Sequence, residues 1–318
     1  GETTHVVYDR AALPGEEELH RVAEGLIRAA TPGRASGLPA AARTAPGALV
    51  QRRTFRLALV TDPAYARYFG TGGQPADPDV VLAQKAVLLN RVNQIYNDDL
   101  AIHMVLVDGS EELNLDTAAK ATGPDGPCGA SACFDAADLD PETGGCTGAL
   151  LDRNRFVVGQ IIGADRYDVG HLMLGINGGG VAYLGAVGGA DKAGGCTGLP
   201  FPTGDFMAID YVAHELGHQF AGNHTFNGTQ GACAGGNRNG GTSVEPGSGS
   251  SVMAYAGICD TDDLQPHTDP AFSQRTIDEV TAHVTDSPGV FDEVQTISMT
   301  GFDDVDELTF HYPGAEPI

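Results

Sequence analysis

The chain has 318 residues, 42% of them hydrophobic and 19% charged, a globular composition long enough for one large domain or two modest ones. Its 42 acidic residues against 18 basic ones give a formal charge of −24, which repels nucleic-acid phosphate and anionic lipid alike and suits divalent cations. No run approaches the ~18 unbroken apolar residues of a membrane helix, so neither nucleic-acid binding nor a membrane span is expected.

In chain order, residues 1–54 form an N-terminal arm. The stretch up to residue 56 holds eight Arg and six acids, so the acid excess lies in the body. Residues 15–30 (GEEELHRVAEGLIRAA) predict a short amphipathic helix with acids leading and Arg28 near its end, in keeping with the helix dipole. Residues 31–50 are rich in Pro, Gly and Ala and read as a linker. The arm either docks on the acidic body or is a frayed terminus. Phe55–Val60 predicts a strand. Residues 79–98 predict a helix with an apolar face of Val80, Leu82, Val87, Leu88, Val92, Ile95 and Tyr96. Ile102–Val107 predicts a buried strand, 121–147 a cysteine-tied loop, 152–163 a helix and His171–Leu174 a strand. The run 178–189 predicts a short strand between glycine turns, and 207–221 predicts a helix. Residues 222–270 are Gly-, Asn- and Ser-rich with little regular structure, and a last helix covers about 271–284. Strands alternating with helices argue for an α/β upper half, above a lower half that needs cross-links or a metal to hold it. Residues 291–318 read as a β-hairpin that resembles the opening of a β-rich module, one that would need further strands.

Six cysteines without a CxxC pair favour three disulfides over a thiolate metal site, and disulfides imply an oxidising compartment, hence secretion. The chain opens at Gly1 without a signal-like apolar run, so a leader would have been removed or would lie outside this sequence. Cys233 and Cys259 flank the irregular lower half and make the favoured pair; Cys128–Cys133 and Cys146–Cys196 complete the set, although six cysteines allow fifteen connectivities.

The decisive string runs from His214 to His224, HELGHQFAGNH. His214 and His218, four apart on a helix, present both imidazoles on one face and can grip one ion from successive turns. Glu215 stands beside them where it can reach a water on that ion without ligating it. Gly222 accepts a positive φ, so the helix can stop there and bring His224 in as a third nitrogen. Three His ligands leave one zinc position open for water, the pattern of a catalytic rather than a structural site. Acids at 135–142 and 260–263 are candidates for calcium or plain solvated loops; neither has the EF-hand spacing. Asp210, one turn before His214, is either a buttressing carboxylate or part of a solvated face.

This string resembles the zinc signature of the metzincin metalloproteases, HExxHxxGxxH. The resemblance implies a metzincin fold: a twisted mixed sheet with the active-site helix in an upper subdomain (55–222), and an irregular, disulfide-tied lower subdomain (223–290). It extends to Ser251-Val252-Met253-Ala254-Tyr255, similar to the clan's methionine turn, with Met253 as the apolar floor under the zinc. Phe55–Thr61 followed by Tyr65 and Gly70 resembles the first strand of reprolysin-like (adamalysin-like) domains. Gly180-Val181-Ala182-Tyr183-Leu184-Gly185 resembles their upper-rim strand, and Gln265–Pro270 after Cys259 resembles secreted bacterial members. Together these cover about 55–285. The chain departs from many reprolysins in carrying Tyr255, not Pro, two residues after the turn Met. In astacins and serralysins a Tyr at that place can touch zinc and support the oxyanion; otherwise the Tyr255 hydroxyl hydrogen-bonds under the site. The resemblance implies a secreted zinc endopeptidase acting on protein or peptide substrates. Substrate would pair with the backbone of Gly180, Val181, Ala182 and Tyr183, and His267 would line the primed side. Many metzincins are silenced by a pro-segment, for which the arm is the candidate; it holds no Cys, and Asp9 is the carboxylate that could serve. The alternative is a catalytically silent, zinc-bound adhesion or binding module, which would have no use for Glu215 as a base.

Overall fold

A computed structural model describes the strand Gly25–Ile27 and residues 52–286. The expected hairpin at 291–318 and the candidate Asp9 lie outside these residues. Strand β1 (Gly25–Ile27) falls inside the stretch expected to be helical, so that expectation fails at these three positions.

The sheet has the order β1-β5-β6-β4-β2-β3, with β2 at Arg53–Thr61, β3 at Ile102–Leu106, β4 at Val169–Leu174, β5 at Gly179–Tyr183 and β6 at Gly195–Gly198. β2, β3, β4 and β6 run parallel; β5 is antiparallel to β6, and β1 pairs parallel with β5. Successive side chains of β2 point to opposite faces. Phe55, Leu57 and Leu59 enter one core with α2 (Pro78–Ile95) and the helical residues 206–219, whereas Ala58 and Val60 enter a second with α4 (Gly148–Ile161). Helices on both faces make β2 an almost unbroken apolar run.

Helix α1 (Pro63–Tyr68) follows β2 directly. Helix α2 (Pro78–Ile95) opens with Asp77 as N-cap and Pro78 in the first turn, where a missing N–H costs nothing. Its buried face is Val81, Lys85, Leu88, Leu89, Val92 and Ile95; Leu88, Val92 and Ile95 are buried as expected, as is Tyr96 just beyond, but Val80 and Val87 are exposed. Lys85 is fully buried among apolar residues and spends its ammonium on the carbonyls of Leu59 (2.7 Å) and Ser110 (3.3 Å); burial lowers its pKa to about 7. A π-helical turn, Tyr96–Leu100, closes α2.

A short helix α3 (Ala118–Ala121) leads into the cysteine-tied loop. All three favoured disulfides are present: Cys128–Cys133, Cys146–Cys196, which fastens the start of α4 to β6, and Cys233–Cys259. β6 was not expected. Its sequence, Gly-Cys-Thr-Gly, has no apolar pattern, and its glycines serve close approach: a Cβ on Gly195 would stand 2.2 Å from Gln219 Oε1, and one on Gly198 2.7 Å from Gly178 Cα. Beyond the active-site helix the chain keeps only short 3₁₀ turns until α6 (Gln274–Asp286), whose Val280 and Val284 return to the first core. The architecture is thus a mixed α/β sheet over an irregular, disulfide-tied lower part, as expected. Among the described residues no helix is long and apolar enough to cross a membrane.

Candidate metal centre and active site

Residues 206–219 form the expected helix in two parts, a π-helical stretch Phe206–Ala213 and then α5 (His214–Gln219), all six of whose residues are buried. The Tyr96 hydroxyl donates to the carbonyl of Ala213 at 2.8 Å, bracing the backbone just before the first histidine. The helix end is a Schellman motif. Ala221 N–H donates to His218 O and Gly222 N–H to Gly217 O, both at 2.8 Å. The left-handed residue is Ala221 (φ 75°), not Gly222 as expected. Gly222 is needed for space instead, since a Cβ there would stand 3.0 Å from Gly217 O and 3.1 Å from Thr276.

This reversal brings His224 back onto the helix. Among the described residues, His214, His218 and His224 form the one cluster able to hold a metal ion. His224 Nε2 lies 3.2 Å from His214 Nε2 and 3.0 Å from His218 Nε2. The outer nitrogens each face a carbonyl: His214 Nδ1 and Val252 O at 2.6 Å, His218 Nδ1 and Gly222 O at 2.7 Å, His224 Nδ1 and Asn237 O at 2.6 Å. A carbonyl only accepts, so every Nδ1 carries the proton and every Nε2 presents a lone pair. Three converging lone pairs repel one another unless a cation sits between them. Ligands at zinc–nitrogen distances on a tetrahedron stand about 3.3 Å apart, close to what the side chains adopt. Burial first, then the neighbouring imidazoles, hold His218 well below the usual histidine range, and the same causes lower His224 to about 3. Neutral imidazoles are the form that ligates. The residues therefore fit zinc.

Glu215 is buried against β5, and a Cβ on Gly180 would stand 2.1 Å from its Oε1. Met253 lies beneath the helix, where a Cβ on Gly217 would meet its sulfur at 2.3 Å. The Tyr255 ring is buried 4.5 Å from that of His224, 5.6 Å from His214 and 4.6 Å from Phe226. Cys233–Cys259 sits below in the same small core as Phe226 and Tyr255. His267 packs edge-on to Phe206 at 5.4 Å and is 3.8 Å from Asp210, beside the π-helical stretch. Asp210 is not on a solvated face. It accepts the Thr268 N–H at 2.8 Å and ties the 264–272 loop to the active-site helix. The segment Gly180–Tyr183 was expected as an edge strand, but β1 lies along it: Gly25 is opposite Val181, Leu26 opposite Ala182 and Ile27 opposite Tyr183.

Several supporting residues were not anticipated. Buried His171 on β4 hydrogen-bonds Gln219 Oε1 and Thr197 Oγ1, both at 2.9 Å, while Gln219 Nε2 donates to Gly170 O, fastening the active-site helix to the sheet. Glu279 on α6 accepts from the backbone and side-chain nitrogens of Asn223 at 3.1 and 3.0 Å. Glu245 accepts hydrogen bonds from both sides of the site's floor. The only signal in the sequence was a lone carboxylate in a Gly- and Ser-rich loop.

The family model for metallo-peptidase family M12B, reprolysin-like, matches residues 80–280. No curated protein matches the chain.

Proposed function

The chain belongs to the M12B reprolysin-like metallopeptidases, and from that premise we propose that it is a secreted zinc endopeptidase with Glu215 as general base. The observation that carries this reading is three converging imidazole nitrogens, with His224 Nε2 3.2 Å from that of His214 and 3.0 Å from that of His218, each ring fixed from behind by a carbonyl, and a buried carboxylate one residue from His214. His214, His218 and His224 would hold the ion. When bound there, zinc supplies a Lewis acid that polarises the scissile carbonyl and lowers the pKa of the attacking water towards ~7.

Glu215 takes the proton from that water and returns it to the leaving amine. Its burial against Gly180 sets it beside β5, the strand on which an extended substrate would lie, and favours catalysis over a silent binding module. The backbone of Gly180, Val181, Ala182 and Tyr183 would fix substrate register, with His267 towards the primed side. The Tyr255 hydroxyl would support the developing oxyanion; its ring already lies against two of the three ligands. Met253 and the Cys233–Cys259 bridge hold the floor. Export is supported by the three disulfides. The acidic clusters are read as loop braces: Asp262 and Asp263 accept backbone N–H groups, and Asp140 does the same at 142–143, so no calcium role is proposed.

The arm reads as a pro-segment, because Gly25–Ile27 takes the side of β5 that a substrate strand would use. Removing residues 1–51 should raise turnover of a quenched peptide; unchanged turnover would discard the pro-segment. The endopeptidase itself is tested by casein or peptide cleavage with and without a zinc chelator and in Glu215→Ala. Cleavage that survives both would overturn the assignment.

A further inference from the structure

The third histidine is the ligand that no helix positions. His214 and His218 stand on α5, but His224 comes after the reversal, in a segment without regular structure. Its backbone and ring must be held by contacts from elsewhere. On one side, Asn223 is gripped by Glu279. The ring faces Asn237 O, and the His224 carbonyl accepts from Thr242 Oγ1 at 2.6 Å. On the other side stands Thr225, and there the methionine turn enters.

Thr225 N–H donates to Met253 O at 3.1 Å. Residue 245 adds a second link. Its backbone bonds Thr225 and Asn227 in a parallel bridge, Glu245 N–H to Thr225 O at 2.9 Å and Asn227 N–H to Glu245 O at 2.8 Å. Its carboxylate then spans to the turn. Oε1 accepts from Thr225 Oγ1 at 2.5 Å and from Ser251 Oγ; Oε2 accepts the N–H groups of Ser250 and Ser251 at 2.9 and 3.0 Å. Four donors from two chain segments meet on one side chain. One segment begins next to the third ligand; the other leads to Val252, whose carbonyl fixes His214, and to Met253 beneath the helix.

We propose that Glu245 is a positioning residue for the metal centre: its carboxylate clamps the methionine turn to the segment carrying His224, so that the first and third ligands keep their spacing. The proposal rests on the zinc reading above. Burial of Glu245 opposes its charge, but the four hydrogen bonds outweigh burial and hold the carboxyl below its usual range, so it is ionised and accepting at neutral pH.

Outer-shell groups of this kind typically affect metal affinity by ~10–100-fold. In the full chain, E245A should weaken zinc affinity, measured by chelator competition, within that range. It should also shift the visible absorption of the cobalt-substituted protein, which reports the arrangement of the nitrogen ligands. E245Q should restore both. A glutamine oxygen can take the two backbone N–H groups, and its amide can donate to the hydroxyls of Thr225 and Ser251, each of which also accepts. Thr225→Val and Ser251→Ala, each of which removes one of the four donors and keeps the other three, should weaken zinc binding less than E245A. Adding Thr225→Val to E245A should cost little more, since the bond is already gone.

A merely structural Glu245 would lower the melting temperature of apo and zinc forms alike and leave the zinc affinity and cobalt spectrum unchanged in E245A. If E245A does not fold, the same silence in both Thr225→Val and Ser251→Ala overturns the clamp. Wild-type protein that binds zinc while the variants bind equally well refutes only the clamp; wild-type protein that takes up no zinc refutes the metal reading and the clamp with it.

Discussion

The contact between Gly180 and Glu215 gives a way to displace the proposed base without touching its chemistry. An ideal Cβ on Gly180 would stand 2.1 Å from Glu215 Oε1 and 2.8 Å from its Cδ, whereas real Cβ contacts essentially never fall below 3.0 Å. In Gly180→Ala the carboxylate must therefore retreat by about 1 Å, and a misplacement of that size costs on the order of 100-fold in rate, about 2.7 kcal/mol of barrier. The backbone has no objection, because Gly180 sits in extended β5 paired with Thr197 and outside the left-handed region. Glu215 is only 1% exposed, so it has no solvent into which to swing. The assay is steady-state hydrolysis of a quenched peptide, with zinc content and melting temperature measured on the same preparations. Expected are a kcat about 100-fold down, a full complement of zinc and a small change in stability. Gly236→Ala is the control, since a Cβ there meets nothing within 4 Å. Wild-type turnover by zinc-loaded Gly180→Ala would refute the placement of the working base against β5.

Three further outcomes follow from the geometry. Burial above all lowers His171 to about 4 from an ordinary 6.5, although its bond to Gln219 pulls the other way. The unfolded chain then binds a proton between those values that the folded chain refuses. Stability should be complete above pH 6.5 and fall by about 3 kcal/mol on acidification to pH 4; denaturant unfolding of wild type and His171→Gln across that range should show the difference, and parallel profiles would refute it. Removing the Cys146–Cys196 bridge, which spans 50 residues, should cost about 4 kcal/mol by loop entropy, read by urea unfolding of the double Ser variant. Tyr255→Phe should lower kcat by about 100-fold with KM and zinc affinity little changed; an unchanged kcat would leave Tyr255 a packing residue under the ligands.

What could be read from the sequence was whatever a fixed local geometry encodes. The four-residue spacing of His214 and His218 follows from 3.6 residues per turn, and the apolar runs of β2 and β4 follow from burial on both faces of a parallel sheet; β3, last in the sheet order, was expected to be buried throughout but buries Ile102 and Met104 while exposing Val105. Where three-dimensional neighbours decide, the sequence was silent or misleading. Gly195–Gly198 is a strand because its glycines admit Gln219 and the backbone of Gly178, not because of an apolar period. The left-handed turn settled on Ala221 because the Schellman bonds require it there, while Gly222 was kept small by Gly217 O and Thr276. The apolar face of α2 takes in Val81 and Leu89 and leaves Val80 and Val87 exposed, a rotation that the apolar pattern alone does not specify. At the site, the three clustered histidines and the adjacent acid were legible as a motif. Glu245 and Glu279 were not, since each reaches the third histidine's neighbours across a long stretch of chain that only the fold brings together.

The most direct measurement is X-ray absorption at the zinc edge on the purified protein, alongside His224→Ala. The expected result is one zinc per chain bound by three imidazole nitrogens at about 2.0–2.1 Å, with the nitrogen count or the occupancy falling in the variant. A protein that carries no zinc after metal loading, or whose zinc spectrum is indifferent to His224, would contradict the assignment of His214, His218 and His224 as the metal centre.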